Sequence, residues 1–451
     1  MKTIYRQLFF AAILVAAVAS GSLVANAQGA DPCESATAAY GEWTKLFELK
    51  DLPSRKAAVE KGKDFITKYP TCEATKEGLE FIKTSLPGME RAVILLEARI
   101  IENALRDRFI KSIAAKNWDD VYASGKEIVA KYVDIDVNAG ADTAEQKKKN
   151  QDKADSYRAV KLVLGTIGLD ETGKTPSNTK WNDDTIKYAK ASIADIEAGK
   201  TFSAWGVPPS FNYKNKDDAL GWMNYTVGYI LFIDKKNKKD AATYMYRASQ
   251  IVSDTKNNPV VYSSIASYYV DDLNKNIVEL KALPGPVDED TPEVKQQKVD
   301  AIKDKTAMVN GAAERVMDAY ARAYNFAPTT PTAKAYRDGL KTSFKQIYDI
   351  RFQKPDGTVP TVDAWIASVS TKAFVNPSTP ITPVLDTEKT PATTATPGPG
   401  TPVTVKPSIP AGVKPTSPAV TTPVKPGAPG AKPVPASARP AVAVVKKKKS
   451  R

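Results

Sequence analysis

Residues 62–69 read GKDFITKY and residues 125–132 read GKEIVAKY, so one eight-residue pattern returns 63 positions further along the chain. The glycine, both lysines and the tyrosine are kept, and most other positions change to a similar residue. This echo predicts a duplicated helical unit and therefore a repeat architecture. We expect Gly62 and Gly125 to permit close contact between helices, because glycine has no side chain to hold them apart.

The echo extends beyond these eight residues. Trp118 is followed by two aspartates, and Trp181, again 63 positions later, is followed by an asparagine and two aspartates. Repeat units of roughly 60 residues are therefore predicted to begin near positions 53, 117 and 181. Repeats of this kind usually build extended binding surfaces.

Helical periodicity dominates the rest of the body. From Met89, after the expected helix breaker Pro87-Gly88, about 27 residues place apolar side chains at helical spacing. These apolar positions are Leu96, Ile100, Leu105, Phe109 and Ile113. Further helices are predicted near 35–49, 54–69, 118–132, 143–165, 182–198, 217–233, 239–254, 259–282, 292–325 and 332–351. No alternating run flanked by hairpin turns competes with them, so we predict an all-α fold.

A second pattern, of small and large residues, occupies residues 218–340. In three consecutive helices it comprises Asn224, Val227, Gly228, Leu231, Ala241, Met245, Ala248, Tyr262, Ile265, Ala266 and Tyr269. Tyr320, Ala323 and Pro328 then fall at the spacing that closes a repeat. This pattern resembles a degenerate tetratricopeptide repeat, a family whose period is about 34 residues. The resemblance implies an irregular array of helical hairpins, an α-solenoid, with a concave face for proteins or peptides.

The N-terminus has the pattern of a secretory signal peptide. Two basic residues precede an apolar run from Leu8 to Val18, and Ala25-Asn26-Ala27 supplies small residues at the spacing of a cleavage site. The apolar run is too short to span a bilayer. Residues 1–27 are therefore predicted to be removed on export, which leaves a helical repeat domain over residues 28–375.

The two cysteines agree with export. An oxidising compartment would join Cys33, near the mature N-terminus, to Cys72, which follows the first repeat helix. Closing this loop would stabilise the fold by about 4 kcal/mol in the chain-entropy model. We therefore predict a periplasmic or extracellular protein with a Cys33–Cys72 disulfide.

Residues 376–451 form a tail of different composition. The tail holds 17 of the chain's 32 prolines and no aromatic residue, so it is predicted to remain disordered. The chain has a net charge of +13, of which the tail carries +9, from 11 Lys and Arg against Asp386 and Glu388. The basic character of the chain therefore belongs mainly to the tail, and the helical body is close to neutral.

A basic cluster ends the tail. It consists of Lys446, Lys447, Lys448, Lys449 and Arg451. On a long proline-rich spacer, such a cluster suits an anionic envelope polymer or membrane surface, whereas no specific nucleic acid is expected. The alternative is a solubilising tail with no dedicated partner.

Catalytic chemistry finds little support in the sequence. The chain contains no histidine, which excludes Ser-His-Asp and Cys-His nucleophiles and H-E-x-x-H zinc sites. It has neither a P-loop nor a G-x-G-x-x-G motif after a strand. No catalytic or cofactor-binding residue is predicted, although two carboxylates from any part of a fold can cleave glycosides.

One inter-helix loop resembles a calcium-binding loop. Oxygen-bearing side chains occupy positions 1, 3, 5, 9 and 12 of the loop that begins at Asp134, and these are Asp134, Asp136, Asn138, Asp142 and Glu145. The required glycine stands at position 7 of this loop and not at position 6. The alternative is an ordinary solvated loop, since aspartate and asparagine also favour turns and helix caps.

Aromatic residues are dense between Phe202 and Tyr269. Most share helical faces, which predicts a role in the core. Trp205 lies in a predicted loop with the sequence WGVPP, and we take it as the candidate for an exposed contact with a proline-rich peptide or a glycan.

The sequence is compatible with three functions. The first is an exported, non-enzymatic helical-repeat scaffold or protein-binding module. The second is a structural spacer associated with the cell envelope or wall. The third is a carboxylate-dependent enzyme. A broad concave groove lined by side chains that take no part in packing would favour the binding module. A uniformly convex, polar body would favour the spacer, and a deep pocket with two close carboxylates would favour the enzyme.

Overall fold

The computed structural model describes residues 32–174, 176–352 and 359–386. Within them, fourteen α-helices and one short hairpin account for nearly all regular structure, so the all-α prediction is confirmed. The predicted signal peptide and most of the predicted tail lie outside the described residues. Contacts within the chain form two compact units, of which the first ends at Leu105 and the second begins at Arg106. The sequence predicts one domain over residues 28–375.

The first unit contains two short helices and most of a long one. These helices are α1 (Ala36–Glu48), α2 (Leu52–Lys68) and α3 (Lys76–Ala115). Asp51 caps α2 by accepting a hydrogen bond from the backbone N–H of Ser54 at 2.9 Å. Trp43 is fully buried, and its indole N–H donates to the carbonyl oxygen of Ala58 at 2.9 Å. This bond satisfies the polar edge of a large core side chain.

Helix α3 begins earlier than the sequence predicts. Pro87 and Gly88 were expected to break the helix, but both lie inside α3. On either side of them, Ile82 and Met89 share one helical face, and both are buried in the core of the first unit. We attribute the uninterrupted helix to this packing, which offsets the cost of an internal proline.

The second unit is a longer succession of helices. They are α4 (Trp118–Ile128), α5 (Ala144–Tyr157), α6 (Ala159–Leu164), α7 (Ile167–Thr172), α8 (Asn182–Glu197), α9 (Lys216–Ile233), α10 (Lys238–Gln250), α11 (Pro259–Ala282), α12 (Pro292–Phe326), α13 (Lys334–Phe352) and α14 (Val362–Ser368). Two strands, β1 (Gly206–Val207) and β2 (Phe211–Asn212), pair antiparallel between α8 and α9. The hairpin, α7 and α14 are not among the elements predicted from the sequence.

From α8 to α13, each helix packs against the next one along the chain. Side chains from all six helices enter one continuous apolar core. Asparagine and threonine caps fix several helix starts. Asn258 and Thr291, for example, each precede a proline at the first helical position and accept a backbone N–H bond. The sequence therefore sets both the apolar faces and the boundaries of these helices.

The sequence echo corresponds to two close helix contacts. In α2, a Cβ atom added to Gly62 would lie 3.0 Å from Nε1 of Trp43. In α4, a Cβ atom added to Gly125 would lie 2.9 Å from Cδ2 of Leu164. The prediction that both glycines permit close contact is therefore confirmed.

The first residues of the predicted tail pack against the second unit. Residues 372–386, which we call the strap, lie along α12, and the side chain of Ile381 contacts the core. From its prolines, the sequence predicts that residues 376–386 belong to a disordered tail. They are held instead by hydrogen bonds from the side chains of Asn310 and Arg315, and by a backbone bond from Val384 to Ala307, which composition does not reveal.

Candidate binding surface

Four large aliphatic side chains of α3 are exposed to solvent. Ile94 is 64% exposed, Leu95 62%, Ile100 52% and Ile101 57%, and we call these four residues the α3 apolar surface. All four belong to the first unit. Other exposed aliphatic residues are mostly scattered singly among the described residues, whereas these four lie within two turns of one helix.

The α3 apolar surface extends around the helix. Ile94, Ala98 and Ile101 are spaced i, i+4 and i+7, so they share one face. Ile100 lies on another face with Val93, which is half-buried. No residue between Met89 and Leu105 is buried. A helix that is apolar on several faces is normally enclosed by protein, and here this stretch is open.

Two ion pairs border this part of α3. Lys56 of α2 contacts Glu97 at 2.5 Å, and Lys63 of α2 contacts Glu90 at 2.6 Å. Both pairs are exposed, so each contributes little to stability. They fix the side of α3 that faces α2 and leave Ile94 and Ile101 without cover.

The exposed aliphatic area carries a free-energy cost in water. Full burial of an isoleucine or leucine side chain contributes about 1.5–3 kcal/mol. Each of these four side chains is only about half covered, so a partner that enclosed them would gain roughly 1 kcal/mol per side chain. Exposed apolar patches of this kind typically mark interaction sites.

A buried charge network occupies a different part of the second unit. Lys161 of α6 is buried, and its Nζ atom contacts Asp195 at 2.8 Å and Asp134 at 2.6 Å. Lys200 contacts the other oxygen of Asp195 at 2.7 Å. Burial alone would raise the pKa of Asp195, but hydrogen bonds from Lys161 and Lys200 outweigh it and hold this pKa below its usual range. Because these charges pair with one another, we assign the network to stability.

The residues of the predicted calcium loop do not form a cluster. Asp134 is paired with Lys161, and Asp136 accepts a hydrogen bond from the backbone N–H of Asn138 at 2.9 Å. The backbone of Asp142 donates to Gln146, and Glu145 lies in the first turn of α5. Within the described ranges, no three His, Cys, Asp or Glu side chains are placed to hold a metal ion. The loop therefore has the hydrogen bonds of a turn and a helix cap.

Trp205 is half-buried. Its ring stacks on Phe202, with the ring centroids 4.8 Å apart and an angle of 18° between the planes. It also packs against the core of the second unit. One face of Trp205 is thus used within the fold, and the predicted contact with a ligand stays a prediction.

The two cysteines lie together as predicted. The sulfur atoms of Cys33 and Cys72 are 2.02 Å apart, as in a disulfide, and they join the segment before α1 to the segment before α3. The predicted anionic-surface contact, Lys446–Lys449 with Arg451, lies outside the described residues. In the part of the chain that is described, no helix is both long enough and apolar enough to cross a membrane.

Comparisons with protein-family models, with curated protein sequences and with solved structures found no match to this chain. The tetratricopeptide resemblance therefore stays a prediction. The helices that carry it, α9 and α10, pack against each other, and a Cβ atom on Gly228 would lie 2.9 Å from Cγ of Met245. Close contact of this kind occurs in many helical folds.

Proposed function

We propose that this protein is an exported, non-enzymatic helical scaffold that binds a partner protein through the α3 apolar surface. The observation that carries the proposal is the stretch of α3 between Met89 and Leu105, which is apolar on more than one face and has no buried residue. An isolated surface helix would expose polar residues there.

The chemistry of the surface favours a protein partner with an apolar helix or groove. Ile94, Ala98 and Ile101 repeat at helical spacing, and the small side chain of Ala98 lets another helix approach between the two isoleucines. Carbohydrate and phosphate ligands need hydrogen-bond donors and acceptors, which these side chains lack.

Export is supported by two independent features of the chain. Residues 1–27 have the pattern of a signal peptide. Cys33 and Cys72 are placed as in a disulfide, and disulfides persist in oxidising compartments. In this proposal the basic end of the tail tethers the scaffold to an anionic envelope polymer or membrane surface.

The rival function, a spacer with a uniformly polar body, does not account for the α3 apolar surface. A spacer needs no exposed isoleucine, and such residues promote aggregation unless a partner covers them. We therefore favour the binding function over the spacer.

Site-specific photo-crosslinking in the source cells tests this function. A photoreactive amino acid replaces Ala98 in the full chain, and the expected result is a covalent adduct with a discrete protein partner. Ile94→Gln with Ile101→Gln should abolish that adduct, since glutamine keeps the helix but removes the apolar contact. An adduct of two copies of this chain would also support the surface and would identify the partner.

Position 278 supplies a matched control. Val278 in α11 is 64% exposed, as is Ile94. The photoreactive residue at position 278 should not give the same adduct, and Val278→Gln should leave the adduct at position 98 unchanged. If the double glutamine variant retains the adduct, the proposed function is wrong.

A further inference from the structure

The strap runs antiparallel to α12. Its start lies near the end of the helix, where the Arg322 guanidinium donates to the carbonyl oxygen of Lys372 at 2.6 Å. About two turns towards the start of α12, Arg315 donates to the carbonyl oxygen of Thr379 at 2.9 Å and also to that of Pro380. At these two points, arginine side chains of α12 hold the strap by the strap's own backbone carbonyl groups.

The closest approach occurs at the tripeptide Thr382-Pro383-Val384. A Cβ atom on Gly311 would overlap the carbonyl oxygen of Thr382, so only glycine leaves room there. The backbone N–H of Val384 donates to the carbonyl oxygen of Ala307 at 2.9 Å, and Asn310 donates to the carbonyl oxygen of Val384 at 3.2 Å. We call the surface formed by Ala307, Asn310, Gly311 and Arg315 the α12 groove.

The α12 groove contacts the tripeptide through backbone atoms of the tripeptide. Each of its polar contacts to Thr382 or Val384 uses a backbone atom, and proline at position 383 has no N–H to leave unsatisfied. The groove therefore accepts a short segment with proline at its centre, followed by a residue that donates its N–H.

The same tripeptide occurs twice more in the chain. Thr-Pro-Val stands at residues 382–384, and again at 401–403 and at 422–424. The copies start 19 and 21 positions apart, and the two later ones lie in the part of the tail outside the described residues.

We infer that the α12 groove is a receptor for Thr-Pro-Val segments and that the copies at 401–403 and 422–424 bind it in place of 382–384. All three segments are carried by one chain, so their effective concentrations at the groove are about millimolar, and exchange needs no second molecule. This site is separate from the α3 apolar surface and does not depend on the function proposed for that surface.

Exchange would change the reach of the tail. With 382–384 bound, 67 residues follow the groove, and with 422–424 bound, 27 residues follow it. Because a chain spans at most about 3.5 Å per residue, the maximum distance from the groove to the last residue of the basic cluster falls from roughly 230 Å to roughly 95 Å. The groove would thus set the distance between the helical body and the surface that the tail contacts.

Photo-crosslinking within the full chain tests this inference. A photoreactive amino acid replaces Thr306, which is exposed and lies beside Val384 and Leu385. In the otherwise native chain, the principal adduct should map to residues 382–386. In the strap variant, with Thr382→Gly, Pro383→Gly and Val384→Gly, the adduct should move to the segments around 401–403 and 422–424.

Two further variants complete the test. Replacing the later Thr-Pro-Val copies by glycine in the strap variant should abolish the remaining tail adducts. Gly311→Ala leaves the tail intact and should weaken the adducts of all three segments, because each needs the same close approach. The photoreactive residue at Asp304, on another side of α12, is the matched control and should give no tail adduct.

Three results would overturn the inference. If the strap variant keeps its helical circular dichroism but gives no adduct with the later copies, the inference is overturned and the strap is a fixed part of the domain. Tail adducts that persist after all three tripeptides are replaced overturn it as well. Adducts that join two chains in a mixture of isotopically labelled and unlabelled protein, with none within a chain, contradict exchange inside one molecule.

Discussion

Gly311 of α12 lies directly against the carbonyl group of Thr382, and no side chain fits between them. We expect Gly311→Val to displace the strap, because a forced overlap of this kind costs about 1–3 kcal/mol. Amide hydrogen exchange of residues 379–386 should become roughly tenfold faster. Ala301→Val, at an exposed position of the same helix, is the control, and equal exchange in both variants would contradict the close approach.

Gly62, in the first unit, is also packed so closely that it leaves little room for a side chain. Gly62→Val should lower the free energy of unfolding by about 1–3 kcal/mol, because the new side chain meets Trp43 and Leu86 within 3.1 Å of its Cβ atom. Gly88→Val in α3 is the matched control, since no atom lies within 4 Å of its added Cβ. Urea denaturation measures both, and a similar loss in the two variants would remove the packing explanation.

Asp195 should make the free energy of unfolding depend on pH in the acid range. Its pKa is lowered in the folded chain, so folding favours the ionised carboxylate, and the stability it contributes is present above its unfolded pKa of about 4. That stability is lost as the pH falls through the folded pKa. Asp195→Asn should lower the free energy of unfolding at pH 7 by about 1.5–3 kcal/mol, because the buried Lys161 loses one of its two carboxylate partners.

The measurement for Asp195 is urea denaturation at several pH values between 7 and 3. The native chain should lose stability more steeply than Asp195→Asn towards the acid end of this range. Asp349→Asn breaks an exposed pair with Lys345 and serves as the control, with an effect of less than about 1 kcal/mol. Parallel curves for the native chain and Asp195→Asn would show that the network does not titrate in this way.

Removal of the disulfide should weaken the first unit. Cys33 and Cys72 are 39 positions apart, so Cys33→Ser with Cys72→Ser should cost about 4 kcal/mol in the chain-entropy model. Hydrogen exchange of α1 and α2 should speed up in the variant, and also in the native chain under reducing conditions. Unchanged protection of both helices would indicate that the disulfide contributes little.

The α3 apolar surface should be detectable without a partner. The double variant Ile94→Gln, Ile101→Gln should bind less of an apolar fluorescent dye than the native chain does, because it lacks two of the four side chains of the α3 apolar surface. The free energy of unfolding should change by less than about 0.5 kcal/mol per substitution, as expected for exposed positions. Val278→Gln is the control, and equal dye binding by all three proteins would contradict an accessible surface.

Local sequence signals predicted most of the helices. Asn258 with Pro259 and Thr291 with Pro292 mark the starts of α11 and α12, because cap and first-turn preferences act over a few residues. Pro87 misled the prediction because packing of Ile82 and Met89 on distant parts of the chain outweighed a local preference. Local rules cannot register such a balance.

The candidate sites were harder to predict than the fold. Ile100 and Phe109 both follow the helical pattern of α3, yet Phe109 is buried and Ile100 is exposed. Periodicity shows which faces are apolar, but it does not show whether another part of the chain covers them. The strap was missed for a related reason, since Arg315 and Thr379 are 64 positions apart and no periodic pattern joins them.

The antiparallel course of the strap gives the chain a mechanical property. Tension applied beyond Asp386 reaches α13, through the ion pair between Arg351 and Asp386, and α12 before it reaches α14, although α14 lies closer to the tail in sequence. A pull along the axis of α12 loads the contacts at Ala307, Asn310 and Arg315 together, in shear. A pull across that axis breaks them one at a time. The strength of the attachment between body and tail therefore depends on the direction of the force.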